Sequence, residues 1–195
     1  GLCAFLDNYK SDKTFSSIDS MGRYCYKNQP NILMWNMACF ASTLVPLLEG
    51  TKEKNVDVLQ KEISSIPEKY KNKWLSEFSK KIGLEKIYPE NEILINRLLE
   101  ILENENLDFT NSFRGLIKEA ENSNELISNT DKFKKWKHDW KKLLKNKSNK
   151  EEVCKTISLN NPAFIMRNHL VEQIIQELLI DKKDTLNKAL ICIEK

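Results

Sequence analysis

Residues 1–36 read GLCAFLDNYKSDKTFSSIDSMGRYCYKNQPNILMWN, and the fold turns on Pro30. Before that proline no helical period is sustained. Gly22 and the Ser16-Ser17 and Lys27-Asn28 pairs read as loop. Alternation through Arg23-Tyr24-Cys25-Tyr26 admits one short hairpin. Pro30 suits the first turn of a helix, where its fixed φ and missing N–H cost nothing. Beyond it Ile32, Leu33, Trp35, Met37, Phe40, Leu44, Leu47 and Leu48 form a wide apolar face. A helix so apolar is expected to be buried on most sides, with Pro46 kinking or ending it.

The rest of the chain follows the same helical period. Val56, Leu59, Ile63 and Ile66 recur at helical spacing, Pro67 is expected to interrupt, and Tyr70, Trp74, Leu75, Phe78 and Ile82 resume. Gly83 fits a C-terminal cap. After a loop at Tyr88-Pro89, Ile93 to Leu102 form another helical run. Asp108 reads as the N-cap of a helix starting near Phe109. Residues 121–131 read as a polar linker and 146–151 as a polar break. Between them Phe133, Trp136, Trp140, Leu143 and Leu144 share one helix face. Asn160-Asn161-Pro162 reads as a helix start continued by Phe164, Ile165, Leu170, Ile174, Ile175, Leu178 and Leu179. Asp184 caps a last helix that carries Cys192. The expected fold is mainly α, with an irregular N-terminal region, in a single domain over 1–195.

Composition narrows the class. Five Gly and five Pro in 195 residues disfavour a turn-rich β fold. With 41% hydrophobic and 30% charged residues and a mean hydropathy of -0.52, the chain reads as soluble, able to build a core, and cytoplasmic. No apolar run reaches the ~18 residues of a membrane span. The start at Gly1 reads as an internal piece of a longer protein or a processed product. Cys3, Cys25, Cys39, Cys154 and Cys192 lack any C-x-x-C spacing, so reduced thiols are expected and no zinc site. Residues 131–150 hold nine Lys against two Asp, a local +7 in a chain of net +3, leaving -4 elsewhere. Lysines interleaved with tryptophans can bind single-stranded nucleic acid. Here Trp136 and Trp140 fall on the apolar stripe, so the lysines read as a solvated face and no nucleic-acid partner is expected.

Phe5-Leu6-Asp7, Phe15-Ser16-Ser17-Ile18-Asp19, Gly22-Arg23-Tyr24, Asn28-Gln29-Pro30 and Trp35-Asn36 resemble the selenoprotein O family. The resemblance continues through Asp108-Phe109-Thr110-Asn111-Ser112-Phe113-Arg114, Trp136, Trp140, Asn161-Pro162 and Arg167-Asn168-His169. It therefore covers nearly the whole chain in one order. It implies a kinase-like fold that transfers AMP from ATP, with Mg²⁺, to Ser, Thr or Tyr hydroxyls of proteins. Residues 1–30 would correspond to the activation segment and 31–195 to the helical C-lobe. Gly1 would match the last residue of an Asp-Tyr-Gly metal-binding triplet whose Asp lies two positions before this chain. The catalytic Asp, the metal-binding Asn and the nucleotide-binding Lys would lie further upstream. The chain itself contains no glycine-rich phosphate loop, no D-F-G and no H-R-D.

No catalytic residue and no metal ligand is therefore assigned, and no tightly bound cofactor is expected. The polar candidates of the activation-segment-like region are Asp7, Asp19, Arg23, Tyr24 and Asn28. Asp19 or Arg23 could order the segment by an ion pair or meet a nucleotide phosphate; turn formation is the plainer role of Asn, Asp and Gly. Arg167 could pin a loop through bidentate bonds. His138 and His169 read as hydrogen-bonded structural residues. Two functions stay open. One is the C-terminal part of a protein adenylyltransferase, inactive alone, with its upstream catalytic part and protein substrates as partners. The other is a non-catalytic helical interaction domain. In either, apolar surface would be covered by the rest of the chain or by a second copy.

Overall fold

The computed structural model describes residues 5–121, 127–145 and 149–193. Gly1 and Cys3 lie outside these residues, as do parts of the 121–131 linker and the 146–151 break. Eight α-helices lie among the described residues: α1 (Gln29–Leu44), α2 (Lys52–Lys81), α3 (Pro89–Asn104), α4 (Phe109–Glu121), α5 (Asp131–Lys145), α6 (Lys150–Asn160), α7 (Asn168–Leu178) and α8 (Asp184–Ile193). The mainly helical class is thus the observed one. No β-strand occurs among the described residues beyond a single antiparallel bridge between Asn8 and Asp108. The chain divides into two compact units, one formed by 1–9 with 79–195, the other by 10–78.

The larger unit is built on tryptophan. Phe133, Trp136, Trp140 and Leu144 are buried along one face of α5, as their spacing predicts. The rings stack in series, Phe133 on Trp136 at 5.6 Å and Trp136 on Trp140 at 5.4 Å between centroids. Each buried indole N–H finds a carbonyl: Trp136 donates to Leu94 O and Trp140 to Ile82 O, both at 2.8 Å. The buried stripe of α3, Leu94, Ile95, Leu98, Leu99, Ile101 and Leu102, belongs to the same core, with Phe113 and Leu116 of α4. Several lysines of α5 are exposed, but Lys137 pairs with the fully buried Glu119.

Helix ends are set by specific residues. Pro89 opens α3 at its first turn. Asp108 caps α4, accepting from Asn111 N at 2.7 Å. α2 ends in a Schellman turn: Gly83 N donates to Lys80 O at 2.9 Å and Leu84 N to Ser79 O at 2.9 Å. Gly83 has φ +78°, and a Cβ there would lie 2.8 Å from Val153 Cγ1 of α6. Glycine is needed at this position both for the turn and for the close approach of α6.

In the smaller unit α1 starts with Pro30 in its first turn and ends before Pro46, which sits in a 3₁₀ turn over Val45–Leu47. Buried Asn55 donates to Val45 O at 3.2 Å and Leu48 O at 3.0 Å, fixing the turn into α2.

Four expectations are corrected. The hairpin at 23–26 is absent: Arg23 and Tyr24 are in a turn and Tyr26–Asn28 form a 3₁₀ turn, because Asp19 captures the backbone amides that a strand would need. α1 is not buried on most sides; within it only Ile32 and Ala41 are buried, while Leu33, Trp35, Met37 and Phe40 are exposed. Its apolar residues ring the helix, so no one packed face can cover them. Pro67 does not interrupt: α2 runs through it for 30 residues. The proline is exposed, and long helical flanks on both sides carry the helix past one missing bond. Asn160-Asn161-Pro162 ends a helix instead of starting one. That helix, α6, has no counterpart among the expected ones. It finishes at Asn160, and Phe164 and Ile165 lie in the irregular stretch before α7.

Candidate functional site

The irregular N-terminal region supplies the candidate residues in two places, one in each unit. In the smaller unit residues 11–27 form a closed loop. Tyr26 N donates to Lys13 O at 3.0 Å and Lys27 N to Ser11 O at 2.8 Å, closing its base. Inside it the Asp19 carboxylate accepts from Arg23 N and from Tyr24 N, both at 2.8 Å. Gly22 between them has φ +66°, which lets the chain turn back onto the carboxylate. Asn28 Nδ2 donates to Arg23 O at 2.5 Å and Gln29 Nε2 to Tyr24 O at 2.6 Å. Asp19 and Asn28 therefore order the loop through backbone bonds, not through an ion pair.

That arrangement leaves the Arg23 side chain turned outward. Its guanidinium lies 4.7 Å from the centre of the Trp35 ring and 5.7 Å from that of Tyr24. No carboxylate pairs with it among the described residues. Trp35 is 54% exposed and Tyr24 44%. A guanidinium held on an indole is pre-ordered to receive an anion. The role of Trp35 was not legible, because its position placed it on the apolar face of α1. Tyr26, at the base of the loop, is different: burial, with Tyr70 nearby, pushes its phenol up to about 12.

In the larger unit Asp7 belongs to a second arrangement. Phe109 N donates to Asp7 O at 2.7 Å and Tyr9 N to Leu107 O at 2.9 Å, which lays residues 7–9 against the start of α4. Leu6 and Tyr9 are buried, and the Tyr9 ring stacks on Phe109 at 5.7 Å. Arg167, the N-cap residue of α7, donates through Nη1 to Asp7 Oδ1 at 2.5 Å and Asp108 Oδ2 at 2.6 Å, and through Nη2 to Asp108 Oδ1 at 3.1 Å. Hydrogen bonds from the guanidinium to Asp108, and then to Asp7, hold the Arg167 pKa above its ordinary value. A pinning arginine was legible from its residue type; its partners, 59 and 160 positions away, were not.

The neighbouring motif is also accounted for. Arg114 donates to Ser158 O and Asn161 O, both at 2.9 Å, and Lys81 to Asn160 O at 3.1 Å. Cationic groups so placed satisfy the last carbonyls of α6 and complement its dipole. His138 and His169 are both exposed. The cysteines among the described residues, Cys25, Cys39, Cys154 and Cys192, are free.

No group of three or more His, Cys, Asp or Glu among the described residues could hold a metal ion. Asp7 and Asp108 are both engaged by Arg167. No helix among the described residues is long and apolar enough to cross a membrane.

The described helices hold irregular polar segments through hydrogen bonds. Similarity to known proteins gives the family. The family described as protein adenylyltransferase SelO matches residues 1–193, and the chain belongs to that family. It is 36% identical over 196 residues to the protein nucleotidyltransferase YdiU of Shouchella clausii, covering all of this chain and 40% of that protein. To the protein of the same name from Clostridium perfringens strain SM101 it is 40% identical, and to that from Bacillus cereus strain G9842 37% identical. Both matches run over 177 residues, 90% of this chain and 36% of each relative. The chain spans about two fifths of the length of the curated relatives it matches.

Proposed function

We propose that this chain acts within a protein adenylyltransferase, as the helical part that carries the activation segment. The reaction joins a protein hydroxyl of Ser, Thr or Tyr to the α-phosphorus of ATP. The bond between the α-phosphorus and the bridging oxygen breaks, pyrophosphate leaves, and the hydroxyl proton passes to a base. The Mg²⁺ ligands, that base and the principal groups that hold ATP belong to residues beyond those described. The observation that carries the reading is the family match over residues 1–193, with the ordered loop at 11–27 lying where the resemblance places the activation segment.

Within this reading the candidates divide. Asp19 and Asn28 hold the shape of the loop. Arg23, on Trp35 and beside Tyr24, meets an anionic group of the nucleotide or of the incoming protein. The exposed apolar side chains of α1 support a chain that works with further protein over that helix. The test is transfer of label from ATP labelled at its α-phosphate, with Mg²⁺, to a mixture of protein acceptors. The full-length protein is expected to leave acid-stable labelled AMP on Ser, Thr or Tyr, and the 195-residue chain alone is not. Transfer by the isolated chain, or none by the full-length protein, would overturn the reading.

A further inference from the structure

We infer that Arg167 is a positioning residue that fixes the entry of the activation segment by holding Asp7; the inference rests on the function proposed above. Its starting point is that one guanidinium serves two carboxylates of unequal standing. Asp108 is engaged twice by Arg167 and also caps α4 through Asn111 N. Its side chain is 21% exposed. Asp7 receives a single bond, and its side chain is 55% exposed. The Arg167–Asp108 fork already ties α7 to the start of α4. The bond to Asp7 adds little to that tie, since exposed ion pairs contribute little to stability.

What the third bond does set is position. Residues 7–9 are held in register by two backbone bonds and the stacking of Tyr9 on Phe109. Those contacts come from Leu107 and from Phe109, the first residue of α4. Arg167 acts from the N-terminus of α7, a separate element, and so removes the remaining freedom to slide or swing. It also neutralises two carboxylates that would repel across the Asn8–Asp108 bridge without it. Small misplacements far from the reacting atoms are costly to rate even where they are cheap in stability.

The distinguishing variant is Asp7→Ala in the full-length protein, which leaves the Arg167–Asp108 fork and the Asp7 backbone bond in place. Arg167→Met is its companion. For Asp7→Ala the expected result is a fall in kcat of about tenfold, with KM for ATP within about twofold of wild type, as loss of positioning requires. Its Tm should be unchanged, and amide exchange at Tyr9 and Phe109 should be faster. Wild-type kcat in Asp7→Ala, or a kcat loss that only accompanies a lower Tm, overturns the inference. If the wild-type protein transfers no AMP, the functional reading fails separately. Amide exchange then still decides the lock, and unchanged protection of Tyr9 and Phe109 in both variants refutes it.

Discussion

Asp19 commits its carboxylate to two amides in succession, and so decides what its neighbours can do. Hydrogen bonds to a charged acceptor are worth more than neutral ones, so Asp19→Ala should remove about 2 kcal/mol of local stability from the loop. The expected readout is faster amide exchange at Arg23 and Tyr24, with Trp136 and Trp140 in their buried core unaffected. Tyr26 gives a second prediction at this scale. Its phenol is raised by burial from 10.0 to about 12. Folding therefore favours the neutral form: the stability it contributes is fully present below pH 10 and is lost as pH rises toward 12. Ultraviolet titration should show a tyrosine contribution near pH 12 that Tyr26→Phe removes. Residue identities in the loop were legible from turn chemistry. The inward use of Asp19 was not, because Asp19 and Arg23 lie close in sequence and an ion pair is the natural reading.

At the scale of elements, Gly83 offers the sharpest test. Its φ of +78° is one penalty for any side chain there, and the 2.8 Å that would separate an added Cβ from Val153 Cγ1 is another. Gly83→Ala should cost about 2–4 kcal/mol, combining left-handed strain with overpacking. Val153→Ala should make Gly83→Ala less costly in Tm, measured against Val153→Ala alone, by relieving the closest contact while Ile157 Cγ1 stays at 3.1 Å. Helix periods were readable wherever apolar residues recur in long runs, as in α3 and α5. α6 escaped because Val153, Thr156 and Ile157 are its buried residues in a sequence otherwise rich in charge. The usable signal was Asn149, whose side chain accepts from Glu151 N at 3.2 Å, followed by Glu151 and Glu152 in the first turn. Pro67 misled for a physical reason. Proline removes one bond from a helix, and a helix of 30 residues keeps the rest.

At the scale of the whole molecule, the helical scaffold and the polar segments it holds were legible, and the long-range contacts were not. Asp7, Asp108 and Arg167 each stand in a recognisable motif, yet only folding brings them onto one guanidinium. α1 taught the opposite lesson: an apolar helix is not thereby a buried one, and its Leu33, Trp35 and Phe40 are exposed. The proposed division of labour puts the activation segment here and the nucleotide chemistry elsewhere in the full-length protein. Calorimetric titration of ATP with Mg²⁺ into the 195-residue chain and into the full-length protein, side by side, tests it most directly. Binding by the full-length protein and none by the chain is the result expected. Binding by the chain alone at matching affinity would place the nucleotide on residues 1–36 and contradict the account, and binding by neither would remove its enzymatic basis.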